Sequence, residues 1–127
     1  MMIVGMNHFT VLSSDLNRSK QFYVELLDFK EGYRPEFSFP GAWLYIDDQP
    51  ILHIMTDRPM PDKPAGVIDH MAFTASNLQS MVDRLKQRGI VYDLHRLKGL
   101  GTWQLFFHDP DGAKIELDFS ANEAEPH

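Results

Sequence analysis

Two stretches of this chain follow one plan. Asn7 to Leu16 reads NHFTVLSSDL, and Asp69 to Leu78 reads DHMAFTASNL. Each places an amide or acid first, then a histidine, a short apolar run and Ser-Asx-Leu. A repeat of about 60 residues is one supersecondary unit used twice. Two copies make a stable fold only if their sheets pair or curl around a shared space. The chain of 127 residues fits one domain, or two half-domains sharing a core. Folding at this size buries roughly two-thirds of the unfolded surface.

The pattern in the first copy predicts a strand over Met6 to Ser13, then a cap at Ser14 or Asp15. A helix follows, with Leu16, Phe22, Tyr23, Leu26 and Leu27 on one side, ending near Asp28. FKEGYRP is a short strand and FSFPG a loop, and AWLYI and ILHIM are strands around the turn DDQP. The second copy repeats the order. VIDHMAFTA is a strand, Ser76-Asn77 the cap, and Leu78, Met81, Val82 and Leu85 the apolar stripe of a helix closed by Gly89. The strands IVYDLHR, TWQLFFH and AKIELDF complete it, joined by LKGLG and DPDG. The expected fold is α+β, with two βαβββ modules forming a curled, cup-like mixed sheet around a metal site. One domain then covers 1–127: module one at about 6–56, a Pro-rich linker at about 57–66, module two at about 67–119, and an acidic tail, 120–127, expected to fray.

Strand period sorts the side chains by face. His8 and Thr10 oppose Phe9 and Val11, and His70, Ala72 and Thr74 oppose Met71 and Phe73. Ile51, His53 and Met55 oppose Leu52 and Ile54, and Lys114, Glu116 and Asp118 oppose Ile115, Leu117 and Phe119. In each strand one set can pack on a helix while the other carries a histidine or carboxylate. His8, His53, His70 and Glu116 thus become candidate ligands, with His53 and Glu116 in matching places of the two halves. Imidazole and carboxylate suit a divalent Fe, Ni, Zn, Mn or Co. A buried carboxylate facing nothing costs several kcal/mol, and a cation is the simplest compensation.

Composition narrows the function classes. The net charge is −6, and no basic stripe exists to meet phosphate, so nucleic acid is not an expected partner. No apolar run is long enough to span a membrane, and MMIVGMNHFT lacks the basic start and cleavage site of a signal peptide. With no cysteine, disulfides, thiolate metal sites and a Cys nucleophile are excluded. A cytoplasmic protein acting on a small molecule is the expectation.

At these residues the sequence resembles the vicinal oxygen chelate superfamily, which includes glyoxalase I, extradiol ring-cleaving dioxygenases, fosfomycin-resistance enzymes and bleomycin-resistance proteins. The cues are NHFTVLSSDLNRSKQFYVELLDF, IDHMAF and FFHDPDGAKIELDF, in order and spacing, over Met6 to Phe119. The resemblance implies paired βαβββ modules, metal ligands at His8, His70 and Glu116, and His53 at the fourth position. Two departures from the dioxygenases stand out: Phe106 occupies the place of their tyrosine, and His95 lies slightly too far upstream for their histidine. Glyoxalase I usually has a glutamate where this chain has His53.

A metal chelating two adjacent substrate oxygens acts as a Lewis acid. The leading expectation is glyoxalase-like isomerase or lyase chemistry, with Glu116 and His53 as catalytic groups. The alternatives are an Fe(II) extradiol dioxygenase and a binding protein without turnover. His53 is either a ligand or an acid–base group. Tyr45, Trp43, Phe39 and Phe37 are candidates for an apolar substrate pocket with Arg34 as its anion anchor, or for core or interface packing. Trp103 and Phe107 carry the same two readings. His95 and His108 are expected in solvent or at the pocket wall. Exposed sheet edges and aromatic surface predict a homodimer.

Overall fold

The computed structural model describes residues 2–127. They form two compact units that divide between Asp62 and Lys63, inside the Pro-rich segment. The first unit contains β1 (Phe9–Leu12), α1 (Leu16–Gln21) with a π-helical continuation (Phe22–Leu26), β2 (Lys30–Glu31), β3 (Gly41–Ile46) and β4 (Gln49–Met55). The second contains β5 (Met71–Thr74), α2 (Leu78–Gln87), β6 (Asp93–Arg96), β7 (Trp103–His108) and β8 (Lys114–Phe119). The class is α+β, and each unit has one mixed four-stranded sheet, ordered β1-β4-β3-β2 and β5-β8-β7-β6. In both, the first strand pairs parallel to the last and the remaining pairs are antiparallel.

Both histidines of the repeat fall just outside the strands. His8 immediately precedes β1 and His70 immediately precedes β5. The sequence predicted longer strands at both places. The parallel ladders begin at Phe9 opposite Leu52 and at Met71 opposite Ile115. The first helix also departs from expectation, since its second half widens into a π turn. Asp28 then takes a left-handed φ of 64°, and Phe29 donates its N–H back to the Tyr23 carbonyl.

Burial follows the apolar period. Phe22, Tyr23 and Leu26 are buried in the first unit, as are Ala42 and Leu44 of β3 and Leu52 and Ile54 of β4. The second unit buries Leu78, Val82 and Leu85 of α2, with Leu105, Ile115, Leu117 and Phe119 of the sheet. Each large apolar side chain so buried contributes about 1.5–3 kcal/mol. At Gly41 a Cβ would stand 2.2 Å from the Ile54 carbonyl oxygen, so the close approach of β3 to β4 requires glycine there.

The two helix starts are built differently. Asp15 caps α1 through its own side chain, accepting from Arg18 N–H at 3.2 Å. Asn77 was expected to cap α2. It instead has φ 68° and makes no cap with its side chain. The Glu123 carboxylate accepts from the N–H groups of Leu78 at 2.8 Å and Asn77 at 3.3 Å. This corrects the expectation of a frayed tail. Trp103 Nε1 donates to the Glu123 carbonyl, His127 N–H to Gln79 Oε1, and Lys86 Nζ to the His127 carbonyl.

Candidate functional site

In the first unit a row of flat groups runs across the open face of the sheet. His53 lies in the middle of β4, opposite Thr10 on one side and Trp43 on the other. Its ring is clamped. His8 stacks on it at 3.8 Å with 12° between the planes, and Trp43 at 4.1 Å with 14°. His53 Nε2 lies 3.1 Å from the Pro50 carbonyl, so this nitrogen carries the hydrogen and Nδ1 is left open. Burial first, then the His8 charge, pull the His53 pKa below the usual imidazole value; the Pro50 carbonyl opposes them, and the Arg34 charge adds a last, smaller lowering. His53 is therefore a neutral imidazole at pH 7.

The row continues. Phe37 lies 6.2 Å from Trp43, and Phe39 stacks on Phe37 at 5.2 Å. The Arg34 guanidinium sits over Phe37 at 4.7 Å and Phe39 at 5.3 Å, and Arg58 over Phe39 at 5.0 Å. Arg34 Nη2 donates to the Phe39 carbonyl at 2.9 Å, while its Nε is buried with no hydrogen-bond partner among the described residues. Tyr45 uses its hydroxyl inside the protein, donating to the Tyr33 carbonyl at 2.6 Å.

The second unit presents charge where the first presents rings. Glu116 is 7% exposed, at the centre of β8, opposite Ala72 on one side and Phe106 on the other. His70 Nε2 lies 3.0 Å from Glu116 Oε1, and His70 Nδ1 lies 2.8 Å from Asp69 Oδ2. Gln104 Nε2 donates to Glu116 Oε2 at 3.4 Å. Asp118 shares this face. Burial first, then its hydrogen bond to Glu116 and the repulsion between the two carboxylates, push its pKa up to about 6. Asp118 Oδ1 is buried without a hydrogen-bond partner among the described residues.

Strand register thus pairs the candidates of the two units. His53 faces the second residue of β1, and Glu116 the second residue of β5. Trp103 and Phe107 are placed differently from the substrate-contact expectation. Both are buried, on the face of β7 shared with Ile115 and Phe119. Alternation turns them away from Glu116, so they belong to the core. The same alternation brings Gln104 and Phe106 to the Glu116 side, and applying the period of 2 to TWQLFFH would have found them. Asp118 was legible in the same way. His95 makes an edge contact with Phe106 at 5.9 Å.

Among the described residues no group of three or more His, Cys, Asp or Glu side chains forms a ready metal site. The donors nonetheless suit a divalent cation. Two donor atoms at about 2.1 Å from a cation and at right angles to one another lie about 3.0 Å apart, and His70 Nε2 and Glu116 Oε1 have that spacing, 3.0 Å. The neighbouring orphaned oxygen of Asp118 adds negative charge that a cation would offset.

Two βαβββ units, the first carrying imidazole and the second imidazole and carboxylate, define a class, and a family model covers the chain over residues 5–117. The chain belongs to the Glyoxalase/Bleomycin resistance protein/Dioxygenase superfamily. It is 34% identical over 122 residues to Glyoxylase I 4 of Arabidopsis thaliana, spanning 91% of this chain and 70% of that one. Its fold matches the glyoxalase family protein from Enterococcus faecalis with a TM-score of 0.69, at 29% identity, over 93% and 99% of the two chains. A variant of the genomically encoded fosfomycin resistance protein FosX from Listeria monocytogenes, complexed with Mn(II) and 1S,2S-dihydroxypropylphosphonic acid, matches with a TM-score of 0.76 at 20% identity, over 94% of each chain. No helix among the described residues is long and apolar enough to cross a membrane.

Proposed function

We propose that the chain is a divalent-metal-dependent enzyme of the glyoxalase-like isomerase or lyase type, acting on a small substrate with adjacent oxygens. The observation that carries this is the His70–Glu116 pair, an imidazole nitrogen 3.0 Å from the oxygen of a buried carboxylate. His8, His70 and Glu116 would hold the cation, which is Fe, Ni, Zn, Mn or Co. The Mn(II) of the FosX complex supports a divalent ion in this family. When bound, the cation polarises two neighbouring substrate oxygens.

The chain's own residues do the rest. His53, neutral and fixed between two rings, accepts or returns a proton at Nδ1. Phe37, Phe39 and Trp43 bound the apolar side of the substrate, and Arg34 holds an anionic group on it. A fourth-ligand role for His53 is the second reading, favoured by its register match to Glu116. It too would use Nδ1. Phe106 brings no hydroxyl to the Glu116 face, which weighs against the extradiol dioxygenase.

The working form is a homodimer. β1 and β2, and likewise β5 and β6, each leave an unpaired strand edge in their own sheet. A sedimentation run at micromolar concentration that found only the 14.7 kDa species would remove the dimer.

The enzyme reading is tested by metal analysis of protein purified without chelator, followed by turnover assays on a hemithioacetal, an epoxide phosphonate and a catechol. Stoichiometric metal with metal-dependent turnover of the hemithioacetal or the epoxide is the expected result. Catechol cleavage after anaerobic Fe(II) loading would establish the dioxygenase instead. Tight binding of an apolar anion without turnover would leave a binding protein.

A further inference from the structure

Each histidine of the repeat is held by the residue directly before it. His8 Nδ1 lies 2.6 Å from Asn7 Oδ1, and His70 Nδ1 lies 2.8 Å from Asp69 Oδ2. Both partners are pure acceptors at those atoms, so in each case Nδ1 carries a hydrogen. The Asx-His dipeptide that opens each copy therefore has a physical meaning. From it we infer that Asn7 and Asp69 are positioning residues, which keep the ring hydrogen on Nδ1 of His8 and His70 and so reserve the Nε2 lone pairs for a cation. The inference rests on the ligand assignment of the preceding section.

Competition at His70 makes this role necessary. Glu116 Oε1 stands 3.0 Å from Nε2 and would itself take a hydrogen from that nitrogen. A neutral ring has one hydrogen to give. If it moved to Nε2, the nitrogen facing Glu116 would be closed to metal. Asp69 draws the hydrogen to the far side of the ring. Lys114 steadies Asp69, with Nζ 3.5 Å from Oδ2, while lying 5.1 Å from the Phe106 ring. Among the described residues no carboxylate pairs with His8, and there a neutral amide suffices. The chain spends the charged partner on the histidine that has a rival acceptor.

Removing hydrogen-bond partners of ligating imidazoles costs about 10–100-fold in metal affinity. Asn7 and Asp69 are exposed, which places the expected losses near the lower end of that range. The test titrates wild type, D69A, D69N, N7A, H70A and H8A with Mn(II) alone. It also reads the ring tautomers of the metal-free proteins from histidine 15N shifts. H70A and H8A should lose the ion. D69A should weaken it about tenfold and move the His70 hydrogen to Nε2. D69N, which keeps an acceptor oxygen, should retain the Nδ1–H form and weaken binding less. N7A should weaken binding less than D69A. If H70A and H8A lose Mn(II) while D69A and N7A keep wild-type affinity and tautomers, the positioning role is wrong and the ligand assignment stands. If H70A and H8A still bind Mn(II) as wild type does, the ligand assignment fails and the positioning role falls with it.

Discussion

The two units share a strand order, a parallel first-to-last pairing and one register, yet they put opposite chemistry at matching places. His53 and Glu116 each face the second residue of their unit's first strand, and each has an aromatic ring across the other ladder, Trp43 and Phe106 respectively. In the first unit the result is a neutral stack, with Trp43 face to face on His53 at 4.1 Å. In the second, Phe106 turns its ring edge-on to His70, at 87° between the planes, and leaves His70 and Glu116 in contact with each other. Duplication thus fixes the register position, and a single residue choice there decides whether the unit offers an imidazole or a carboxylate.

That contrast is open to attack at His53 first. If the clamped imidazole moves protons, H53A should lower kcat by roughly 10²–10⁴-fold and leave Mn(II) affinity within a factor of two or three of wild type. If His53 ligates, H53A weakens the ion and H53E restores it, because carboxylate oxygen also suits these cations. The two units would then differ in donor type only, and the comparison would be sharpened to that.

The next largest difference lies in the helix starts. E123A removes the acceptor of two N–H groups at the start of α2 and should destabilise the chain by about 1–2 kcal/mol in urea unfolding. D15A, which removes one bond at the start of α1, should cost about 1 kcal/mol or less. Equal losses would mean that the docked tail does not hold α2 as described.

This last contrast also marks how far the sequence could be read. Local signals were legible. The apolar stripes, the DPDG turn and the Ser-Asx helix starts placed nearly every element, and Asp15 caps its helix as its position predicts. The Glu123 cap was not legible, because its two partners stand 46 and 45 residues away in sequence. The π turn of Phe22–Leu26 was hidden for a related reason. An apolar stripe at helical spacing reads the same whether the turn is α or π. The repeat made His8, His53, His70 and Glu116 candidates, and alternation put Asp118 on the Glu116 face. Trp103 and Phe107 kept two readings because an aromatic side chain is as fit for a core as for a pocket. Only the register against Ile115 and Phe119 assigns them to the core.

The smallest expected effect concerns Asp118. Its folded pKa, about 6, is raised from 3.8, so the folded chain holds that proton more tightly than the unfolded chain. The stabilisation is complete below about pH 4 and is lost as pH rises through about 6. In chelator-treated protein, D118N should therefore be more stable than wild type at pH 8, by about 1 kcal/mol once solvent screening is allowed for. Near pH 4 the difference should shrink to nothing. A pH-independent difference would remove the Glu116–Asp118 repulsion from the account.

The central claim is that His8, His70 and Glu116 hold one divalent cation. Anomalous diffraction at the manganese edge, from crystals grown with Mn(II), tests it most directly. One strong peak is expected roughly 2.0–2.2 Å from His70 Nε2, a Glu116 carboxylate oxygen and a His8 Nε2. A peak held by other residues, or none at saturating Mn(II), would contradict it.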